Sequence, residues 1–223
     1  MMRMGRALLF DIDGTQADTD ALHLEAFNRI LNPRGHVFDH ARYTKELQGF
    51  SNASISGRFL AEEPPQRQAE IIDEKEAAFR ELVAGKIQPL PGLMKLLDRA
   101  DHAGIPMAAV TNAPRLNAEM LLAGLGIMHR FKAVIIGDEL AHGKPHPMPY
   151  REGLCAVGAA PNLSLAFEDS RSGIQSATAA GIATIGIRTS LGHDDLIAAG
   201  AVMTARSFED PELLGVVDAT MKW

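Results

Sequence analysis

Several signals that mark particular classes of protein are rare or missing in this chain of 223 residues. Cysteine occurs once, at Cys155, so no intrachain disulfide can form and we expect a reducing compartment. The first apolar run, residues 7–10, is too short for the core of a signal peptide. No later run approaches the roughly 20 apolar residues that a membrane span needs. These absences predict a cytoplasmic protein without a membrane partner.

A run of basic residues is also missing. Lysine and arginine total 22 against 28 aspartate and glutamate, which makes the net charge −6. Nothing in the sequence could neutralise a row of nucleic-acid phosphates, so we expect no nucleic-acid partner. A hydrophobic share of 46% and a charged share of 22% are those of an ordinary globular protein. At about 150 residues per domain, the length predicts one compact unit with an insertion, or two small units.

Short apolar runs alternate with helical patterns, which predicts an α/β fold with a doubly wound parallel sheet. The five runs that predict strands begin at residues 7, 107, 133, 163 and 183. No convincing strand falls within residues 17–88, and the clearest helix there is expected over residues 69–84. We therefore predict a small helical domain over residues 17–88, inserted after the first strand of a core domain formed by residues 1–16 and 89–223.

Polar side chains collect where the apolar runs end. They include Asp11, Asp13, Thr111, Asn112, Glu168 and Asp169. Because the carboxyl ends of parallel strands meet at one edge of a sheet, these groups should converge where α/β proteins bind ligands. Four carboxylates at one edge repel one another unless a cation is present, and Mg²⁺ prefers hard oxygen ligands. With Lys144 as a point charge and Thr111 as a hydroxyl donor, the set predicts a phosphoryl-transfer site.

Four motifs resemble, in order and spacing, those of the haloacid dehalogenase-like (HAD) hydrolase superfamily. They are Asp11-Ile12-Asp13-Gly14-Thr15, Thr111, Gly143-Lys144-Pro145-His146-Pro147 and Phe167-Glu168-Asp169-Ser170. Gly173-Ile174 and Ala180-Gly181, which follow the last motif, are similar to the branch that contains sugar-phosphate phosphatases and β-phosphoglucomutase. The resemblance implies that the helical insertion is a cap that closes over the site, excludes water and reads the leaving group.

The resemblance also implies a role for each motif residue. Asp11 would be the nucleophile that forms an aspartyl-phosphate, and Asp13 would protonate the leaving oxygen and then activate water. The Mg²⁺ ligands would be Asp11, Asp169, the main-chain carbonyl of Asp13 and, as a further ligand, Glu168. Thr111 would bond the phosphoryl oxygens, although it could instead only cap the next helix, and Lys144 would offset negative charge. Dehalogenases of the superfamily lack the second aspartate, so Asp13 argues against carbon–halogen cleavage.

Further residues are candidates for contact with the substrate. The predicted substrate contacts are Thr111, Asn112, Lys144, Gly49, Arg115 and His23. His23 matches a hinge histidine of the mutase branch or is a packed histidine, and Arg115 could reach a second anionic group or be only an exposed residue at a helix start. Mutases of this branch carry lysine immediately before the glycine that matches Gly49, and arginine three residues after that glycine. This chain has Gln48 and Asn52 at those positions, so the clamp for a second phosphate is missing.

We therefore predict a Mg²⁺-dependent phosphatase that acts on a small phosphorylated metabolite, such as a sugar phosphate or a phosphoglycolate-like acid. The alternatives are a β-phosphoglucomutase-like mutase and a HAD scaffold that only binds its ligand. A P-loop nucleotide binder fails because the glycine spacing before Lys144 is wrong and Pro145 replaces the hydroxyl residue. A phosphorelay receiver domain would lack both the cap and the second aspartate. The sequence does not indicate an oligomeric state.

Overall fold

A computed structural model describes residues 5–223, and a six-stranded sheet lies at its centre. The strands are β1 (Leu8–Phe10), β2 (Met107–Thr111), β3 (Ala133–Ile136), β4 (Leu165–Glu168), β5 (Ala183–Ile187) and β6 (Met203–Ala205). They lie in the order β3-β2-β1-β4-β5-β6, and each neighbouring pair is parallel. This arrangement confirms the predicted doubly wound α/β fold.

Five of the strands lie where apolar runs predict them. The fourth begins at Leu165 and not at residue 163, because Pro161–Leu163 form a short 3-10 helix. Strand β6 is missing from the prediction. It has only three residues, and polar Thr204 at its centre interrupts the apolar pattern that would have marked a buried strand.

Helices cover both faces of the sheet. The α-helices are α1 (Asp20–Leu31), α2 (His40–Glu46), α3 (Asn52–Phe59), α4 (Pro65–Val83), α5 (Leu93–His102), α6 (Arg115–Gly124), α7 (Met148–Val157), α8 (Arg171–Ala179), α9 (His193–Ala199) and α10 (Pro211–Met221). Leu8 and Phe10 join one hydrophobic cluster with residues of α5, α6 and α10, whereas Leu9 joins a second cluster with residues of α7. Because both faces are buried, most strand residues are apolar, and the strands lack the regular alternation of apolar and polar residues that a sheet with one exposed face shows.

The stretch between β1 and α5 is helical, as predicted, and contains α1 to α4. Its helices share a hydrophobic cluster of their own that includes Phe27, Tyr43 and Phe59. Helix α4 was expected over residues 69–84 but begins at Pro65. Proline is well tolerated in the first turn of a helix, where its missing N–H would have no partner in any case. The helix can therefore begin at Pro65, ahead of residue 69, where the apolar pattern first predicts it.

The order of the strands decides where a ligand can bind. From β1 the chain crosses to β2 and β3 on one side, and from β4 it crosses to β5 and β6 on the other. The crossovers therefore diverge between β1 and β4, and a crevice is left beyond their carboxyl ends. Asp11 follows β1 directly and Glu168 is the last residue of β4. Within residues 5–223, no helix is both long enough and apolar enough to cross a membrane.

Candidate active site

Three buried carboxylates meet at the crevice between β1 and β4. Asp11, Glu168 and Asp169 each place a carboxylate oxygen within 4.8 Å of the others. Two glycines make this packing possible. A Cβ atom at Gly14 would lie 2.2 Å from Asp169 Oδ2, and one at Gly173 would lie 1.9 Å from Glu168 Oε1. Neither position can hold a larger residue unless the carboxylate beside it moves.

Lys144 is the cation inside this cluster. Its Nζ donates hydrogen bonds to Asp11 Oδ1 and Glu168 Oε1, both at 2.6 Å, and to the carbonyl oxygen of Val110 at 2.7 Å. Burial alone would lower the pKa of Lys144, but the charges of the two carboxylates outweigh burial, so the pKa is raised. Lys144 is therefore charged, as its predicted role requires.

The cluster still has more negative charge than one lysine can balance. Burial raises the pKa of Asp11 to about 8, although Lys144 opposes this shift. Burial, together with the charges of Asp11 and Asp20, raises the pKa of Asp169 well above its ordinary value. These shifts describe a site that lacks a counter-charge. Hard oxygen donors grouped around uncompensated charge fit a divalent cation such as Mg²⁺.

Asp13 lies outside this group of three and has a different environment. Its Oδ1 accepts hydrogen bonds from Thr19 Oγ1 at 2.9 Å and from His23 Nε2 at 3.0 Å. The other ring nitrogen of His23, Nδ1, lies 3.1 Å from the Nζ of Lys75. An ammonium group can only donate, so Nδ1 accepts and Nε2 carries the proton that it donates to Asp13. Burial raises the pKa of Asp13, but the hydrogen bonds from His23 and Thr19 outweigh burial, and the pKa lies below its ordinary value.

A cavity separates the cluster from the helical segment, and most of the predicted residues line it. The predicted residues in its wall are Asp11, Asp13, His23, Gly49, Thr111, Asn112, Lys144 and Asp169. Glu168 lies behind this wall, fully buried. Arg115 is not part of the wall, since its guanidinium group bonds to Glu139 at 2.7 and 2.8 Å and to Glu119 at 3.3 Å. The structure thus brings together all the predicted site residues except Arg115.

Two of the lining residues have their polar atoms engaged by neighbouring loops. The Oδ1 of Asn112 accepts from the main-chain N–H of Lys144 at 2.9 Å, and its Nδ2 donates to the carbonyl of Lys144 at 3.1 Å and to that of Gly49 at 3.4 Å. Asn112 therefore holds the lysine loop beside the helical segment. Thr111 Oγ1 accepts from the N–H of Ala113 at 2.9 Å, which leaves its own hydrogen free for a ligand.

Some residues that shape the site were missed by the sequence reasoning. Gln16 donates to the main-chain carbonyl of Asp11 at 3.0 Å, and the hydroxyl of Tyr150 donates to Glu168 at 2.8 Å. Lys75 and Glu76 of α4 are both buried and line the cavity. A signal for these two was available, because each is a charged residue between buried apolar residues of the same helix. Lys75 lies one helical turn from both Ile71 and Phe79, and Glu76 one turn from both Ile72 and Phe79.

The fold and the site together define a hydrolase of phosphoric monoesters. The chain belongs to the haloacid dehalogenase-like hydrolase family, which matches residues 8–187. It is 33% identical to protein CbbY of Rhodobacter capsulatus over 190 residues, which cover 81% of this chain and 84% of that protein. It is 34% identical to fructose-1-phosphate phosphatase YqaB of Escherichia coli over 189 residues, which cover 81% of this chain and 95% of that protein.

Solved structures show the same similarity. CbbY from Rhodobacter sphaeroides in complex with phosphate is 31% identical, with a TM-score of 0.81, and the match covers 93% of this chain and 96% of that chain. A mutant of that protein in complex with xylulose-(1,5)bisphosphate is 30% identical, with a TM-score of 0.79 and the same coverage.

Proposed function

We propose that this chain is a Mg²⁺-dependent phosphatase that hydrolyses a small phosphorylated metabolite through an aspartyl-phosphate on Asp11. The observation that carries the proposal is the contrast between two aspartates in one cavity. Asp11 belongs to the charge cluster around Lys144, whereas Asp13 is bonded to His23 and Thr19. Carboxylates in such different environments can act as nucleophile and as acid/base in the same reaction.

The first half of the reaction forms the phosphorylated aspartate. Asp11 Oδ1 is bonded to Lys144, and among residues 5–223 no donor contacts Oδ2, which is free to attack phosphorus. As the new P–O bond forms, the bond to the leaving group breaks and Asp13 transfers a proton to the leaving oxygen. Without ligand the pKa of Asp13 is low, and the negative charge of an arriving phosphomonoester raises it so that Asp13 can carry this proton.

The second half releases phosphate. Asp13, now a carboxylate, takes a proton from water, whose oxygen attacks phosphorus and breaks the bond to Asp11. Throughout, Lys144 and the Thr111 hydroxyl bond the phosphoryl oxygens or offset their charge. Asp11, Asp169 and the main-chain carbonyl of Asp13 would hold Mg²⁺, with Glu168 as a further ligand. A bound Mg²⁺ supplies Lewis-acid stabilisation of charge on the phosphoryl group.

The substrate class that we propose is a sugar phosphate or a phosphoglycolate-like acid. YqaB is named for its action on fructose 1-phosphate, and CbbY binds phosphate and a sugar bisphosphate.

The single unpaired cysteine supports our expectation of a cytoplasmic location.

The mutase alternative is less well supported by the cavity. Asn52, where mutases carry arginine, donates through its Nδ2 to Glu76 Oε1 at 2.9 Å. It therefore faces a carboxylate and has no charge with which to hold a second phosphate. A mutase would convert β-glucose 1-phosphate to glucose 6-phosphate with little release of free phosphate. We expect free phosphate to be the main product from any phosphosugar that the chain accepts.

The decisive experiment measures phosphate release from a panel of phosphomonoesters with Mg²⁺ and with EDTA. We expect EDTA to abolish turnover and Asp11→Asn to lower kcat by at least about a thousandfold, because the nucleophile is lost. The matched control is Asp73→Asn, an exposed aspartate of α4 that should leave kcat unchanged. Full turnover in EDTA or in Asp11→Asn would overturn the proposal. Tight binding of phosphate without turnover of any ester would favour the ligand-binding scaffold.

A further inference from the structure

The wall of the cavity that faces the carboxylate cluster is formed by the helical segment, and we call it the cap wall. Its charged residues are Asp20 of α1 and Lys75 and Glu76 of α4. Glu76 is held in place from three directions. Its Oε1 accepts from Asn52 at 2.9 Å and from Lys75 at 3.1 Å, and its Oε2 accepts from Asn117 of α6 at 2.6 Å.

The only lysine of the cap wall is already engaged. Its Nζ donates to Glu76 Oε1 and to His23 Nδ1, each at 3.1 Å. It also lies 4.2 Å from the centroid of the Phe27 ring. An ammonium group carries three hydrogens, and these three neighbours occupy the directions in which Lys75 can donate. Lys75 is therefore not available to clamp a second anionic group of a substrate.

The two acids of the cap wall keep their charge near neutral pH. Burial raises the pKa of Glu76, but the charge of Lys75 and the hydrogen bond from Asn52 outweigh it, so the pKa is lowered. Burial raises the pKa of Asp20 only to about 6. Two carboxylates therefore stand against one ammonium, and the cap wall carries net negative charge.

These carboxylates can still accept hydrogen bonds. An ionised carboxylate has about four acceptor positions. Glu76 uses three of them, and Asp20 uses two, one for Tyr43 and one for Gln48. The cap wall thus offers acceptors to hydroxyl groups and repels anions. This is the reverse of a clamp for a phosphate or a carboxylate.

We infer that the cap wall selects an uncharged, hydroxyl-bearing leaving group. Glu76 determines this specificity by repelling leaving groups that carry a second phosphate or a carboxylate. The inference rests on the proposed phosphatase function and decides between its two substrate classes in favour of monophosphates of sugars and polyols. It places phosphoglycolate-like acids and sugar bisphosphates among the poor substrates.

The test compares substrates that differ only at the carbon farthest from the phosphate, which is either an uncharged CH₂OH group or a carboxylate. Three pairs match a CH₂OH group with a carboxylate at the same chain length: glycerol 3-phosphate with 3-phosphoglycerate, erythritol 4-phosphate with 4-phosphoerythronate, and sorbitol 6-phosphate with 6-phosphogluconate. For the pair that is turned over fastest, we expect kcat/KM to favour the polyol phosphate by at least about tenfold, since unscreened like charges in a cavity repel strongly. A ratio near one, or in favour of the acid, would overturn the inference while leaving the phosphatase intact. Failure to release phosphate from any ester would contradict the proposed function itself, and the inference with it.

Variants then locate the effect. In Glu76→Gln, the preference for the polyol phosphate should fall at least about threefold, because the repelling charge is removed. Glu74→Gln, an exposed position of the same helix, should keep the wild-type preference. A purely structural defect would lower kcat/KM for both members of a pair and leave their ratio unchanged, so an unchanged ratio in Glu76→Gln counts against the role of Glu76. Asn52→Arg gives an independent test that does not depend on whether Glu76→Gln folds. A cation added beside Glu76 should shift the ratio of the two kcat/KM values towards the acid.

Discussion

Gln48 Nε2 donates a hydrogen bond to Asp169 Oδ2 at 2.9 Å, and this contact ties the helical segment to the carboxylate cluster. The next residue strengthens the tie, because the carbonyl of Gly49 accepts from Ser172 Oγ at 2.6 Å. Gly49 has a φ of +74°, and a Cβ atom there would lie 2.6 Å from that Ser172 oxygen. Only glycine lets this loop pass so close to the core. The loop closes the cavity by contacts that depend on both parts of the chain.

The Gln48 contact predicts a measurable effect on catalysis. Gln48→Ala removes a hydrogen bond between the two parts, and once a bound cation ionises Asp169 this bond is charge-assisted and worth about 1.5–3 kcal/mol. We expect kcat/KM to fall about tenfold or more in a steady-state assay, and we expect faster hydrogen exchange in residues 47–50. Gln66→Ala, at an exposed position of α4, is the control and should behave as wild type. Unchanged kcat/KM in Gln48→Ala would show that this contact does not support closure.

The raised pKa values predict how stability depends on pH and on Mg²⁺. In the folded protein Asp11 titrates at about 8 and Asp20 at about 6, far above their values in an unfolded chain. Between the pKa of each group in the unfolded chain and its pKa in the folded protein, the folded state binds more protons than the unfolded state. The free energy of unfolding therefore falls as pH rises through that range. The slope is about 1.4 kcal/mol per pH unit for each such group. We therefore expect the Tm without metal to fall by about 3 °C per unit between pH 5.5 and 8.

Saturating Mg²⁺ should reverse much of that fall, because a cation favours the ionised carboxylates. The rise in Tm on adding Mg²⁺ should be larger at pH 8 than at pH 6, as differential scanning fluorimetry can measure. In Asp11→Asn the metal-free slope should become shallower, whereas Asp73→Asn should keep it. A Tm that does not respond to Mg²⁺ at pH 8 would argue against a metal site formed by Asp11, Glu168 and Asp169.

Tyr150 supports the cluster from behind through its hydrogen bond to Glu168. Tyr150→Phe leaves a buried carboxylate with one donor fewer, and we expect the free energy of unfolding to fall by about 1.5–3 kcal/mol. Urea denaturation should show this with an unchanged m-value. The control is Tyr43→Phe, which deletes a hydroxyl that donates to Asp20 at 3.0 Å. Both variants should lose stability, but only Tyr150→Phe should also weaken Mg²⁺ binding, by about tenfold or more. Equal Mg²⁺ affinity in the two variants would contradict this role.

Arg115 is the predicted substrate contact that the structure places outside the cavity. Its salt bridge with Glu139 is on the surface, where such pairs contribute about 1 kcal/mol or less to stability. We expect Arg115→Ala to keep KM and kcat within about twofold of wild type. Lys144→Met should instead abolish turnover, because the charge between Asp11 and Glu168 is lost. A rise in KM of fivefold or more in Arg115→Ala would restore Arg115 as a substrate contact.

The fold and the core of the site could be predicted because both depend on local patterns. An apolar run followed by Asp11, or by Glu168 and Asp169, is visible in a few adjacent residues, and parallel strands place their carboxyl ends together. Strand β6 was missed because three residues carry too little pattern. Gln48 and Glu76 were not assigned a contact because their partners, Asp169 and Asn117, are distant in the chain.

The sequence by itself determined which carboxylates, lysine and hydroxyl lie at one edge of the sheet, because the motif residues follow strands whose carboxyl ends meet there. Only the tertiary structure decided what faces that edge. Whether Lys75 is free to bind an anion depends on Glu76, His23 and Phe27 lying around it. Whether Arg115 reaches the cavity depends on the competing Glu139. Charges can be counted in a sequence, but their effect depends on distance and burial, which only the folded chain defines.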